Sequence, residues 1–212
     1  KNDIKTIPNF IDISLYKQDY NLSLREKFAK KSEAILVHVS NFRKVKRVQD
    51  VIKVFNLVDK EYSAKLLMIG DGPERLKVER LARKLGVNKN VKFFGKLKSI
   101  EKILTISDIF ILPSERESFG LVALEAMASR TAIISTNCGG LPEVNINAKT
   151  GFLSDVGDYK KMSKDTLSLL SNPKKLEEFK NNALEHAKTF DIPNILPSYE
   201  LLYKELYSKI ER

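Results

Sequence analysis

Residues 114–125 read SERESFGLVALE, so that Glu117 and Glu125 stand with seven residues between them and Gly120 in the middle. The apolar run 109–112 ends at Pro113 and has the length of a short buried strand. Residues 121–128 continue with apolar and helix-favouring types at helical spacing. The predicted unit is strand, loop, helix, with one carboxylate before the helix and one inside it. The first backbone N–H groups of a helix lack internal partners and carry the positive end of its dipole. They suit an anionic or hydroxyl-rich ligand that the two carboxylates would flank. Spacing alone leaves a second reading open, in which both carboxylates are solvated surface charges.

A second cluster lies far upstream. Residues 40–47 read SNFRKVKR and place Arg43, Lys44, Lys46 and Arg47 at the end of a predicted strand and the start of a predicted helix. Arg supplies a planar fork of donors and Lys a point charge, a combination that suits a diphosphate. Positive charge at a helix start also opposes the dipole, and such local conflicts tend to collect at sites. Lys46 is expected to be an exposed cation; a solvated patch is the alternative reading.

The elements that must position these residues alternate between strand and helix. Strands are predicted over 34–39, 65–69, 91–94, 109–112 and 131–135, and helices over 46–58, 74–85, 99–106, 121–128, 158–170, 173–189 and 195–210. Val48, Val51, Ile52, Phe55 and Val58 fall on one helical face. This alternation predicts an α/β fold, a Rossmann-like parallel sheet with helices on both faces. Gly70, Gly72, Gly95, Gly120, Gly139 and Gly140 follow the carboxyl ends of strands, the edge where open parallel sheets bind ligands.

Composition narrows the function classes. A chain of 212 residues with 42% hydrophobic content can bury the core of one domain, and its one cysteine, Cys138, excludes an internal disulfide framework. No apolar run approaches the roughly 20 residues that span a bilayer, and no secretory leader opens the chain, so a cytoplasmic location is expected. The formal charge of +10 comes from lysines interleaved with glutamates along helical segments. Without tryptophan, zinc-ligand spacing or an aromatic RNA-binding signature, nucleic acid is not an expected partner. Residues 1–20 read as an inter-domain linker and 21–212 as the domain, with an N-terminal partner domain expected outside the chain. His38, His186, Cys138 and Asp71 are expected to be structural.

Lys46 after the first strand, Gly70-Asp71-Gly72-Pro73, the Phe94-Gly95 turn, Glu117-Ser118-Phe119-Gly120 with Glu125, and Gly139-Gly140-Leu141-Pro142-Glu143 resemble, in order and spacing, the C-terminal half of the retaining family-4 glycosyltransferases with the GT-B fold. The likeness covers nearly the whole chain, and residues 40–51 are most similar to the bacillithiol-pathway members. The resemblance implies the donor half of a two-domain transferase that moves N-acetylglucosamine from UDP-N-acetylglucosamine to L-malate, inactive without its N-terminal half. It implies that Glu117, with Ser118 and the Phe119 and Gly120 amides, meets the sugar. The Leu121 and Val122 amides would meet the diphosphate, Glu125 the ribose, and Gly95, Lys96 and Leu97 the base, with Gly70 beside them. Lys46 and Arg43 would neutralise the departing diphosphate. In many relatives the arginine lies five residues before the lysine, where this chain has Asn41. The resemblance further implies same-face attack with no protein nucleophile, no metal and no cofactor. It leaves room for a surface-polysaccharide or glycolipid acceptor, for a homo-oligomer of the full-length protein, and for a non-catalytic nucleotide-binding module.

Overall fold

Short apolar runs become parallel strands where helices cover both of their faces, and the described residues supply six of them. The computed structural model describes residues 4–16 and 20–210, so positions 1–3 and 17–19 of the expected linker and residues 211–212 lie outside the described residues. In chain order the elements are a 3-10 turn (Ile13–Tyr16), α1 (Leu22–Glu26), β1 (Ala34–Val39), a second 3-10 turn (Lys44–Lys46), α2 (Val48–Val58), β2 (Ala64–Ile69), α3 (Arg75–Lys84) and β3 (Val91–Gly95). They continue with α4 (Glu101–Thr105), β4 (Ile109–Leu112), α5 (Leu121–Ala128), β5 (Ala132–Thr136), α6 (Leu141–Val144), β6 (Gly151–Ser154), α7 (Tyr159–Leu170), α8 (Pro173–Lys188) and α9 (Ile192–Ile210).

All five strand pairings are parallel, in the order β3-β2-β1-β4-β5-β6. The chain runs outward from β1 to β3 and then returns to the other side of β1 as β4. The connections leaving β1 and β4 therefore diverge, which opens a crevice at the carboxyl edge. Side chains alternate between the two faces along each strand. Leu36 of β1 joins Leu66, Met68, Ile111, Val51, Ile52 and Phe55 on one face, whereas Ile35 and Val37 join Leu67, Phe110, Leu112, Leu124 and Met127 on the other. Burying a side chain such as Phe55 or Phe110 completely contributes roughly 1.5–3 kcal/mol, so the two layers hold the sheet rigidly beneath the crevice.

The expected Rossmann-like architecture is present, with local corrections. Residues 44–47 do not enter the helix: Arg47 adopts a left-handed backbone at φ 48°, so a 3-10 turn precedes α2. The strand β6 and the short α1 and α6 were not anticipated. β6 carries only Gly-Phe-Leu-Ser, too short for a periodic signal, and takes its register from β5. The last helix begins at Ile192, directly after Asp191, whose Oδ1 accepts from Ile192 N at 3.0 Å and also from Ile13 N at 3.1 Å. Residues 4–12, expected as strand or linker, form a strap. Ile11 bridges to Asp191, Phe10 meets Tyr199 edge-on, and the Tyr199 hydroxyl donates to the Pro8 carbonyl at 3.3 Å.

Candidate functional site

The diverging connections after β1 and β4 enclose a cleft of about 520 Å³. Val39, Ser40, Asn41 and Lys46 form one wall, residues 117–122 the other, and Asn9 of the N-terminal strap closes one end. The 3-10 turn swings Lys46 back over the sheet edge, where its Nζ donates to Glu117 Oε1 at 2.5 Å; Ser114 Oγ donates to the same oxygen at 2.9 Å. The side chains of Lys46 and Glu117 are only 19% and 11% exposed, so Lys46 is not the exposed cation the sequence predicts. Its ammonium lies against the opposite wall. Among the described residues no donor reaches Glu117 Oε2, which leaves an acceptor for a ligand hydroxyl.

The loop carrying Glu117 is held from below by the connection after β5. A Cβ on Gly139 would lie 1.8 Å from the Glu117 carbonyl oxygen, and Gly139 has φ 54°, so only glycine fits there. Gly140 N donates to that same carbonyl at 3.1 Å, and Thr136 Oγ1 donates to the Ser114 carbonyl at 2.6 Å. Cys138 Sγ points at the Ser114 carbonyl from 3.2 Å, a packing role. Gly120 caps α5 at φ 97°, and Leu121 and Val122, whose amides begin the helix, line the cleft. Glu115 N donates to the Val45 carbonyl at 2.8 Å and ties the two walls together.

The remaining predicted residues separate into those near the cleft and those away from it. Arg43 is exposed and does not line it; Asn41 does. Arg47 pairs with Asp50 at 2.6 Å and Lys53 joins the same carboxylate at 2.8 Å, so part of the basic cluster serves the start of α2 and relieves the expected conflict with its dipole. Gly70 lets β2 approach the first connection, since a Cβ there would lie 1.8 Å from the Ser40 carbonyl oxygen; its N–H donates to the Gly95 carbonyl at 2.8 Å. Lys96 and Leu97 are exposed in the turn after β3. Ser118, Phe119 and Gly120 line the cleft with Glu117.

Glu125 sits one turn into α5, outside the cleft lining, with the Tyr16 phenol beside it. Burial, and then the charge of Glu101, hold its carboxyl above the usual range, although the Tyr16 phenol opposes the shift. The Tyr16 phenol is itself pushed up by burial and by Glu125. Sequence reasoning missed Asn9, Tyr16, Ser40 and Ser114. Ser40 directly follows β1 at the productive edge, a signal that could have found it; Asn9 and Tyr16 arrive only through the strap.

His38 of β1 is fully buried, with Nδ1 2.8 Å from the Ile111 carbonyl oxygen and Nε2 2.8 Å from Ser40 Oγ. Burial depresses its pKa to about 4, against the hydrogen bond to Ile111, and the charge of Lys46 lowers it further. Among the described residues no group of three or more His, Cys, Asp or Glu could hold a metal ion, and no helix is long and apolar enough to cross a membrane.

The family model described as "Glycosyl transferases group 1" matches residues 21–186. The chain is 41% identical over 210 residues to the N-acetyl-alpha-D-glucosaminyl L-malate synthase of Bacillus anthracis, covering 96% of this chain and 54% of that protein. It superposes on Anabaena HepE in complex with UDP with a TM-score of 0.85, at 23% identity, over 96% of this chain and 57% of that one. A crystal structure of the C-terminal domain of a group 1 glycosyl transferase from Francisella tularensis matches with a TM-score of 0.76, at 25% identity, over 84% of this chain and 97% of that one. The chain spans about half the length of the curated relatives it matches.

Proposed function

Since the chain belongs to the glycosyl transferases group 1 family, we propose that it is the donor-binding half of a retaining GT-B glycosyltransferase that moves N-acetylglucosamine from UDP-N-acetylglucosamine to L-malate. The observation that carries this reading is the meeting of Lys46, Glu117 and the start of α5 in one cleft at the point where the strand order reverses. Diphosphate oxygens compete with Glu117 for the Lys46 ammonium. The carboxylate released by that exchange accepts hydroxyls of the sugar, and the Leu121 and Val122 amides add donors to the phosphates. As the sugar bond breaks, charge builds on the leaving diphosphate, where Lys46 and the helix start stabilise it. Attack from the same face lets that phosphate accept the incoming hydroxyl's proton, so no protein nucleophile is needed.

In this reading Glu125 takes the ribose and the turn of Gly95, Lys96 and Leu97 takes the base, with Gly70 bracing the first connection; Arg43 would have to swing inward to reach a phosphate. The acceptor binds in the other half. Residues 1–20 and α9 belong to the crossover toward it, which fits the exposed Leu201, Tyr203, Leu206 and Tyr207 on α9. A chain with Cys138 as its one cysteine fits a reducing compartment such as the cytoplasm. The similarity to the Bacillus anthracis synthase supports L-malate as acceptor.

Mass spectrometry of products from the full-length enzyme tests this, with UDP-N-acetylglucosamine supplied and L-malate competed against sugar and lipid-linked acceptors. The expected product is N-acetylglucosaminyl malate. Transfer to a saccharide or lipid acceptor in its place would reassign the enzyme to surface-polymer synthesis, and no transfer at all would leave a nucleotide-binding module.

A further inference from the structure

His38 and Ser40 form a pair whose hydrogen-bond polarity is determined by what lies behind it. The Ile111 carbonyl can only accept, so the contact at 2.8 Å requires the proton on His38 Nδ1. The imidazole is fully buried, and its depressed pKa keeps it neutral near pH 7. Nε2 then carries a lone pair, and the Ser40 hydroxyl 2.8 Å away must donate its one proton to it. Ser40 Oγ is left with acceptor capacity alone.

The backbone of Ser40 is held as firmly as its side chain. Its N–H donates to the Ile69 carbonyl at 3.1 Å, and its own carbonyl occupies the space that a Cβ on Gly70 would fill. Ser40 lines the same cleft as Lys46 and Glu117. A phosphate oxygen is also an acceptor and gains nothing from this oxygen. A hydroxyl or an amide N–H does.

We infer that Ser40 is a specificity-determining residue of the cleft that accepts a hydrogen bond from a hydroxyl or amide N–H of the sugar carried on the nucleotide, and that His38 is the positioning residue holding it in that polarity. This rests on the cleft being the sugar-nucleotide site proposed above. His38 touches no ligand and acts only through Ser40.

Calorimetry on this chain with UDP and with UDP-N-acetylglucosamine separates the two claims. Ser40→Ala is expected to weaken the sugar nucleotide about tenfold, the loss of one hydrogen bond to a neutral partner with its desolvation cost, while UDP changes less than about twofold. Ser40→Thr, which keeps the hydroxyl, should recover most of the loss. His38→Gln can donate to Ile111 and accept from Ser40, so it should retain sugar-nucleotide affinity; His38→Leu should lose it with the UDP affinity kept. If His38→Leu does not fold, imidazole nitrogen NMR of the unaltered chain is the second readout. It should show the Nδ1–H tautomer, with an Nε2 signal that moves on adding UDP-N-acetylglucosamine and stays put with UDP. Equal losses of UDP and UDP-sugar in Ser40→Ala, or no loss of either, overturn the inference with the cleft reading intact. Failure of the unaltered chain to bind UDP at all overturns both.

Discussion

Lys46 Nζ lies 2.5 Å from Glu117 Oε1, so the cation and the carboxylate of the cleft satisfy each other before any ligand arrives. The two residues are 71 positions apart and sit on connections that leave neighbouring strands. A ligand with phosphates at one end and hydroxyls at the other can replace both halves of this contact. A ligand with only one of those groups strands a partly buried charge, which is a physical basis for selecting a sugar nucleotide over either fragment.

Replacing Lys46 by alanine is expected to lower UDP affinity at least tenfold, about 1.4 kcal/mol, by removing the cation from the phosphate position. Because Lys46 is partly buried and paired, the change also strands Glu117 with Ser114 as its remaining partner. A stability loss of about 1 kcal/mol should follow, a fall in Tm of roughly 2–4 °C for a chain of this size. Calorimetry and thermal melts check the two effects separately; unchanged UDP affinity would remove Lys46 from the phosphate role.

Removing the Glu117 charge as well should not add to this cost. In a double-mutant cycle of Lys46→Ala and Glu117→Gln, the stability of the ligand-free chain should show a coupling of about 1 kcal/mol. The double variant should be no less stable than Lys46→Ala alone. Simple additivity would mean the contact contributes nothing to the resting cleft.

Buried neutral His38 makes stability fall as pH is lowered. Its pKa is about 4 in the folded chain against an ordinary 6.5, so the unfolded chain takes up the proton first. Stability is complete above about pH 6.5 and should decline by about 3 kcal/mol as pH drops toward 4. Glu33, held low by the Lys30 N–H, acts in the same direction only below its usual range, and buried Glu125, held high, acts in the opposite direction. Urea titrations between pH 6.5 and 4.5 therefore report His38 against the opposing Glu125, and the difference from a variant lacking the imidazole isolates His38. A His38→Gln variant should flatten that slope, and an unaltered slope would contradict the assignment.

Gly139→Ala should damage the cleft without touching a ligand. The new Cβ meets the Glu117 carbonyl oxygen, and the backbone is left-handed, so about 2–4 kcal/mol of stability should be lost or the Glu117 loop displaced. Weaker UDP-sugar binding together with a lower Tm is the expected pattern. An unchanged Tm and affinity would mean that the loop is not braced there.

Arg25 tests the fold alone. It is buried, donating to Asp108 Oδ2 at 2.9 Å, to the Ile106 carbonyl at 2.5 Å and to the Glu33 carbonyl at 2.8 Å, and so fastens α1 to the strand edge. Arg25→Ala should cost about 3 kcal/mol, moderated by Lys180, which reaches Asp108 Oδ1 at 3.6 Å. UDP affinity of the folded fraction should not change.

Much of this was legible in residue order. The strand at Ile109–Leu112 and the helix at Leu121–Ala128 were read at their observed boundaries, because their apolar runs are bounded by the punctuating residues Pro113 and Gly120. Lys46, Glu117 and the start of α5 do meet. Arg43 lies exposed outside the cleft lining, since the charge pattern carries no sign that the chain turns at Lys44–Lys46 and presents Asn41 inward. Glu125 was singled out by spacing and lies one turn into α5 outside the cleft lining, and its neighbour Tyr16 comes from a strap that local periodicity reads as linker.

The sequence by itself determined the alternating α/β architecture, the glycines of the carboxyl edge and the cationic and carboxylate residue types that line the cleft, because period, punctuation and helix starts are local properties of the chain. Only the tertiary structure decided that Lys46 is spent on Glu117, that Ser40 is an acceptor because His38 is buried behind it, and that Gly139 supports Glu117 from a loop over twenty residues away. Those facts depend on which strands are neighbours and on what is excluded from water. Strand order and burial arise from the simultaneous packing of both sheet faces, and no short window of residues contains them.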